Sequence, residues 1–142
     1  MRLLYLLTLA FLLAACNTEQ APVTHEELDG AWVVTEVEIN SELINADPKA
    51  RQYTLDALLG NQYVFEQRRF LSITQPGVHD NAGDYFLEHN GHTLRHNVGE
   101  GLIRDYETVT KAHIENGTLY LEEDFKDANG TMASIVLHLN RP

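Results

Sequence analysis

The sequence predicts an all-β fold: eight antiparallel strands closing into an up-and-down barrel, with one short helix between the first and second strands. Eight short segments rich in β-branched and aromatic residues follow one another at regular spacing. Turn-forming residues separate most of them: Pro76-Gly77, Asn90-Gly91, Gly99-Glu100-Gly101, Asn116-Gly117 and Asn129-Gly130. A single stretch switches to a helical period. Consecutive strands with mostly short connections favour closure, because closure removes the exposed sheet edges.

The first strand is "AWVVTEVEIN" (31–40), β-branched and alternating. The helix is "DPKARQYTLDALLG" (47–60), where Asp47 suits the N-cap and Pro48 the first turn. Leu55, Leu58 and Leu59 share an apolar face, and Gly60 suits the stop. The remaining strands are 62–66, 70–74, 84–89, 92–98, 104–114, 118–125 and 131–139. A two-residue turn at Asn116-Gly117 sets Ile114 opposite Leu119, Ala112 opposite Leu121 and Lys111 opposite Glu122. One face is then apolar and the other carries an opposite-charge pair. A turn at Asn90-Gly91 likewise sets His89 opposite His92, Leu87 opposite Leu94 and Tyr85 opposite His96.

These registers give an inward set of mixed polarity. Tyr63, Phe65, Tyr85, Leu87, His96, Tyr106, Thr108 and Leu121 are the expected ligand contacts. Trp32, Val34, Glu36, Phe70, Leu94, Thr110, Ala112, Leu119, Met132, Ser134 and Val136 are expected to share that face. An eight-stranded barrel is just wide enough to be filled by side chains or to hold one small ligand. The first strand contains a conflict. The face of Trp32 carries Glu36 and Glu38, while Val33, Val37 and Ile39 lie opposite. A polar cavity, a bulged strand or a helix lying over something would each resolve it, and the helix is the favoured expectation.

The chain has 142 residues and a formal net charge of −11 at pH 7. So acidic a surface repels nucleic acid and anionic headgroups. It opens "MRLLYLLTLAFLLAAC": a basic Arg2, an apolar run over 3–13, then Leu13-Ala14-Ala15-Cys16. The run is too short for a bilayer span, which takes roughly 20 residues, and suits an export signal. Its end resembles the lipobox of bacterial lipoproteins. That resemblance implies a signal peptide over 1–15 and a Cys16 carrying a diacylglycerol thioether and an N-acyl chain such as palmitate. Cys16 is the only cysteine, so no disulfide competes for it. Asn17, rather than aspartate, implies outer-membrane delivery facing the periplasm. Residues 16–27 read as the lipidated cysteine and a flexible tether, and 28–142 as one barrel domain.

Gly30-Ala31-Trp32 at the start of the first strand resembles the Gly-x-Trp signature of lipocalins and related calycins. "LDGAWVVTEVEIN" and "GDYFLEHNGHTL" are similar to small bacterial lipocalin-like lipoproteins. The resemblance implies that Trp32 closes one barrel end, with Gly30 beside it and Arg141 packed across it. It also implies a small, partly apolar ligand inside. The helix after the first strand departs from the large loop usual there, and no further lipocalin motif is visible.

Catalytic motifs are absent: there is no Gly-x-Ser-x-Gly elbow and no His-Glu-x-x-His. Glu36 and Glu123 are candidates for an inward carboxylate pair, but the reading is of a non-enzyme without a cofactor. In "EHNGHTLRH" (88–96), His89 and His92 flank a turn and could share a cation, whereas His96 lies about 13 Å along the strand. A third ligand would have to come from another element, where His79 or Asp80 on the 75–83 loop could supply it, and no metal site is expected. The alternatives to ligand binding are an envelope interaction module with a filled barrel, or a metal-binding lipoprotein. The sequence leaves oligomeric state open.

Overall fold

A computed structural model describes residues 20–77, 81–98 and 108–142. Eight antiparallel strands close into one barrel in sequence order. They are β1 (Gly30–Asn40), β2 (Gln62–Glu66), β3 (Phe70–Thr74), β4 (Asn81–Glu88), β5 (Thr93–His96), β6 (Thr108–Glu115), β7 (Thr118–Lys126) and β8 (Met132–Asn140). Among the described residues three α-helices accompany them: α1 (His25–Leu28) before β1, then α2 (Glu42–Ala46) and α3 (Pro48–Leu58) between β1 and β2. A 3-10 turn, His89–Gly91, joins β4 to β5. The turns β2–β3, β4–β5 and β6–β7 therefore share one barrel end with α1 and the chain's last residues. The helices α2 and α3 and the β7–β8 turn lie at the other end.

The two hairpins adopt the expected registers. Lys111 pairs with Glu122, Ala112 with Leu121 and Ile114 with Leu119. Leu87 pairs with Leu94 and Tyr85 with His96. Asn116 and Gly117 have φ of 50° and 83°, as their tight turn requires. Lys111 Nζ reaches Glu122 at 3.5 Å and Asp124 at 2.8 Å on the outer face.

Three strands expose a different face from the one expected, each for a local reason. On β1 the register shifts between Val34 and Glu36, so Thr35 is an extra residue. This bulge turns Val37 and Ile39 inward and puts Glu36 and Glu38 outside. The conflict on the first strand is thus resolved by the bulge, and Glu36 forms no inward pair with Glu123. Between β2 and β3 the loop has three residues, with Glu66 opposite Phe70. An odd loop changes parity, so Leu71 is buried and Phe70 is 40% exposed. Between β7 and β8 the loop 127–131 is also odd, with Lys126 opposite Met132. Asp127 Oδ1 holds it by accepting from the backbone N–H groups of Asn129 (2.9 Å) and Thr131 (3.0 Å). Ala133, Ile135, Leu137 and Leu139 therefore face in, while Met132, Ser134 and Val136 face out. Ser134 is buried on that outer side, where its hydroxyl accepts from Asn40 Nδ2 at 3.2 Å.

The folded part also begins earlier than Leu28. Of the stretch read as a tether, Val23 is buried and its N–H donates to the Gly91 carbonyl at 3.0 Å. A Cβ on Gly91 would collide with Val23, so glycine there admits the segment. Thr24 and Glu27 form a reciprocal capping box on α1, and Leu28 is fully buried. Each such burial stabilises by about 1.5–3 kcal/mol. Helix α3 starts at the Asp47 cap, whose carboxylate accepts from Lys49 and Ala50 N–H groups. It ends before Gly60, which has φ of 81°. Leu55 and Leu58 pack against the core, while Leu59 is 40% exposed.

Candidate functional site

One barrel end is closed by stacked, hydrogen-bonded groups. The Trp32 indole N–H donates to the Leu28 carbonyl at 2.7 Å. The Arg141 guanidinium lies 4.0 Å over the Trp32 ring. It donates to the carbonyls of Asp29 (2.6 Å) and Glu27 (2.7 Å), joining the chain's end to α1. A Cβ on Gly30 would stand 2.8 Å from Nη1, and Gly30 has φ of 101°, so both space and backbone call for glycine. Beneath this, Phe65 meets Tyr85 edge-on at 5.1 Å, and the Tyr85 hydroxyl shares a 3.1 Å hydrogen bond with His25 Nδ1. Burial, then the nearby Asp29 carboxylate, push the Tyr85 phenol up to about 12.

The other end holds a cavity of about 180 Å³ between α3 and the strands. Leu58 from α3, Tyr63 from β2, His96 from β5, Thr108 and Thr110 from β6, Leu121 and Glu123 from β7, and Ile135 and Leu137 from β8 line it. Burial lowers the His96 imidazole to about 4, so the ring is neutral at pH 7. Its Nδ1 accepts from the Val98 N–H at 3.4 Å, which leaves the ring proton on Nε2. Burial, then the Glu123 charge, push the Tyr63 phenol up to about 12. Glu123 stands at the rim, exposed on its solvent side, and desolvation on the cavity side raises its carboxyl above the ordinary range. The Thr110 hydroxyl donates to the Leu94 carbonyl at 3.3 Å.

Four of the expected ligand contacts meet at this cavity: Tyr63, His96, Thr108 and Leu121. Phe65 and Tyr85 are buried in the filled half, and Leu87 packs against the same core near the 3-10 turn. Tyr106 lies outside the described residues, as do Cys16, His79 and Asp80. Sequence reasoning left Leu58, Ile135 and Leu137 out of the site. Only the parity of the β7–β8 loop could have revealed the last two, through the spacing of Asp127 and Thr131.

A second cluster lies on the outer surface. His138 Nε2 is 2.6 Å from Glu38 Oε1, and His138 Nδ1 is 3.5 Å from Glu36 Oε2. Among the described residues this is the one group of three side chains with metal-ligating atoms close together. The two carboxylates approach different ring nitrogens, and one ligand atom from each of the three residues lies within 4.8 Å of the others. Tyr120 covers the ring at 4.7 Å and itself stacks on His113 at 4.5 Å. At the β4–β5 turn His89 is exposed and His92 half-buried.

No family model matches the chain, and neither a curated protein nor a solved structure does.

Proposed function

We propose that this chain is a lipid-anchored envelope lipoprotein whose lipocalin-like barrel binds a small, partly apolar ligand at the end covered by α3. The carrying observation is the contrast within one barrel: an interior filled by side chains beneath Trp32, with a polar groove of about 360 Å³ outside it at His25, Asp29 and Arg68, and at the other end a cavity lined by aliphatic, hydroxyl, imidazole and carboxyl groups. Such a mixture of apolar walls and a few placed polar groups is the usual make-up of a ligand site. The leader ending in Leu13-Ala14-Ala15-Cys16 supports the anchor, and the grouping of Gly30, Trp32 and Arg141 supports the likeness to lipocalins. Native mass spectrometry of the protein purified from its own envelope tests the reading. A retained small molecule lost in Thr108→Trp, which fills the cavity mouth, is the expected result. Thr108 is only half-buried, so this variant avoids overpacking the core. A protein carrying diacylglycerol on Cys16 but no other molecule in any preparation would overturn the binding part. Cys16→Ala should abolish membrane fractionation, and its persistence on membranes would overturn the anchor.

The cavity volume of about 180 Å³ also favours a second reading. Drug-sized ligands occupy about 300–1,000 Å³. An envelope interaction module with a nearly filled barrel fits that size, and it predicts no retained molecule.

A further inference from the structure

We propose that the cavity under α3 selects a small organic ammonium, with Glu123 as its counter-ion and a short apolar tail held by Leu58, Leu121, Ile135 and Leu137. This rests on the ligand-binding reading above and deepens it by naming the ligand's chemistry. Among the described residues that line the cavity, Glu123 is the one with an acidic side chain. Tyr63, Thr108 and Thr110 add neutral hydroxyls, and His96 adds a neutral ring. Among the described residues no lysine or arginine lines the cavity, and Glu123 has no hydrogen bond or ion pair. A fatty acid placed here would set its carboxylate against Glu123 with no cation to offset it, which costs free energy in a partly desolvated site. A neutral alcohol would donate one hydrogen bond to the carboxylate but bring no counter-charge. An alkylammonium supplies the missing charge and donors, and a charge-assisted hydrogen bond is about twice as strong as a neutral one. The chain's net charge of −11 draws cations toward the rim and repels anions. The aliphatic floor accepts the tail, and the cavity of about 180 Å³ limits that tail to a short one.

The test uses the full chain in neutral detergent and three isosteric probes: hexylammonium, 1-hexanol and hexanoate. Binding is followed by NMR shifts of the amides of Thr108, Thr110, Leu121 and Ile135. Hexylammonium should saturate with the highest affinity, hexanol should bind more weakly, and hexanoate should bind weakest. Glu123→Gln should weaken hexylammonium about five- to tenfold and leave hexanol unchanged. Raised salt should weaken hexylammonium alone. If hexanol or hexanoate binds at least as tightly as hexylammonium, the cation preference is overturned while the ligand-binding reading stands. The same holds if Glu123→Gln leaves the ammonium affinity unaltered, or if the shifts map to Glu36 and Glu38 on the outer face. If none of the three probes moves the cavity amides, the ligand-binding reading itself fails, and this proposal with it.

Discussion

At the Trp32 end of the barrel, polar groups enter the structure already matched. The indole N–H meets the Leu28 carbonyl, the guanidinium of Arg141 meets two carbonyls, and Tyr85 meets His25. At the α3 end the matching is partial: His96 Nδ1 accepts from the Val98 N–H and Thr110 donates to the Leu94 carbonyl. Glu123 has no partner among the described residues, and His96 is kept neutral by burial alone. Buried polar groups are costly unless satisfied. One end therefore has the chemistry of a plug and the other the chemistry of a receptor. The same alternating strands supply both, with large side chains at Phe65, Leu71, Tyr85, Leu94, Leu119 and Leu139 on one side and Thr108 and Thr110 on the other.

The largest expected effect breaks the plug. Trp32→Ala should destabilise the domain by about 3–5 kcal/mol, the range for losing a buried large aromatic. The denaturant midpoint measures it. Trp32→Phe should recover part of the loss, because the ring packing returns while the Leu28 carbonyl stays unpaired. A midpoint unchanged in Trp32→Ala would remove the distinction between the two ends.

The next effect belongs to the receptor end. His96 titrates near 6.5 when unfolded and near 4 in the folded chain. Between those values the unfolded state binds more protons, so stability is fully present above about pH 6.5 and is lost as pH falls towards 4. The difference corresponds to about 3 kcal/mol by linkage. His96→Gln should flatten the pH profile of the denaturation midpoint across this window. Amide exchange at β5 and β6 should rise first in acid, before the core around Trp32 opens. Equal exchange at both ends would contradict the contrast.

The plug was easier to read in the sequence than the receptor. Gly30 and Trp32 lie two residues apart at a strand start, and Arg141 follows the last strand, so a local pattern points to one place. The receptor depends on parity. β1 carries Val33, Val37 and Ile39 on one alternation and Trp32 and Val34 on the other, and only the extra residue Thr35 puts Trp32, Val34, Val37 and Ile39 on one face. In β8 apolar residues occupy both alternations, so hydrophobicity does not choose between Val136 and Leu137. The odd loop held by Asp127 does. The Asn116-Gly117 hairpin, by contrast, has its two-residue turn and matches residue for residue, and the β4–β5 hairpin keeps its register although its strands stop at Glu88 and Thr93, with His89–Gly91 in a 3-10 turn. Helix α1 was hidden because four residues carry no periodicity, although Thr24 and Glu27 have the spacing of a capping box.

Arg141 offers a smaller and sharper test of the plug. Arg141→Ala removes the stacking over Trp32 and the contacts to the carbonyls of Glu27, Asp29 and Ala31 at a solvent-facing position, and should cost about 1–2 kcal/mol. Arg141→Lys keeps the charge but loses the planar fork that spans Glu27 and Asp29, so it should recover little of that. Full recovery by lysine would reduce the interaction to charge alone. Neither variant should change probe binding at the other end.

The smallest effect concerns Glu123 in the absence of any ligand. Desolvation on the cavity side raises its carboxyl above 4.5, its ordinary value. The folded state then binds more protons than the unfolded state around that value. Its favourable contribution is present below about pH 4.5 and is lost as pH rises through the raised value. At pH 7 the ionised group is therefore slightly destabilising, and solvent at the exposed rim keeps the effect small. Glu123→Gln is neutral at every pH, so it should raise the midpoint slightly at pH 7 and match the parent below pH 4.5. A saturating alkylammonium should reverse the order at pH 7, stabilising the parent more than the variant, since a ligand stabilises in proportion to its affinity for the folded state. A midpoint that falls in Glu123→Gln without ligand would mean that Glu123 already has a favourable partner, and the receptor end would then resemble the plug.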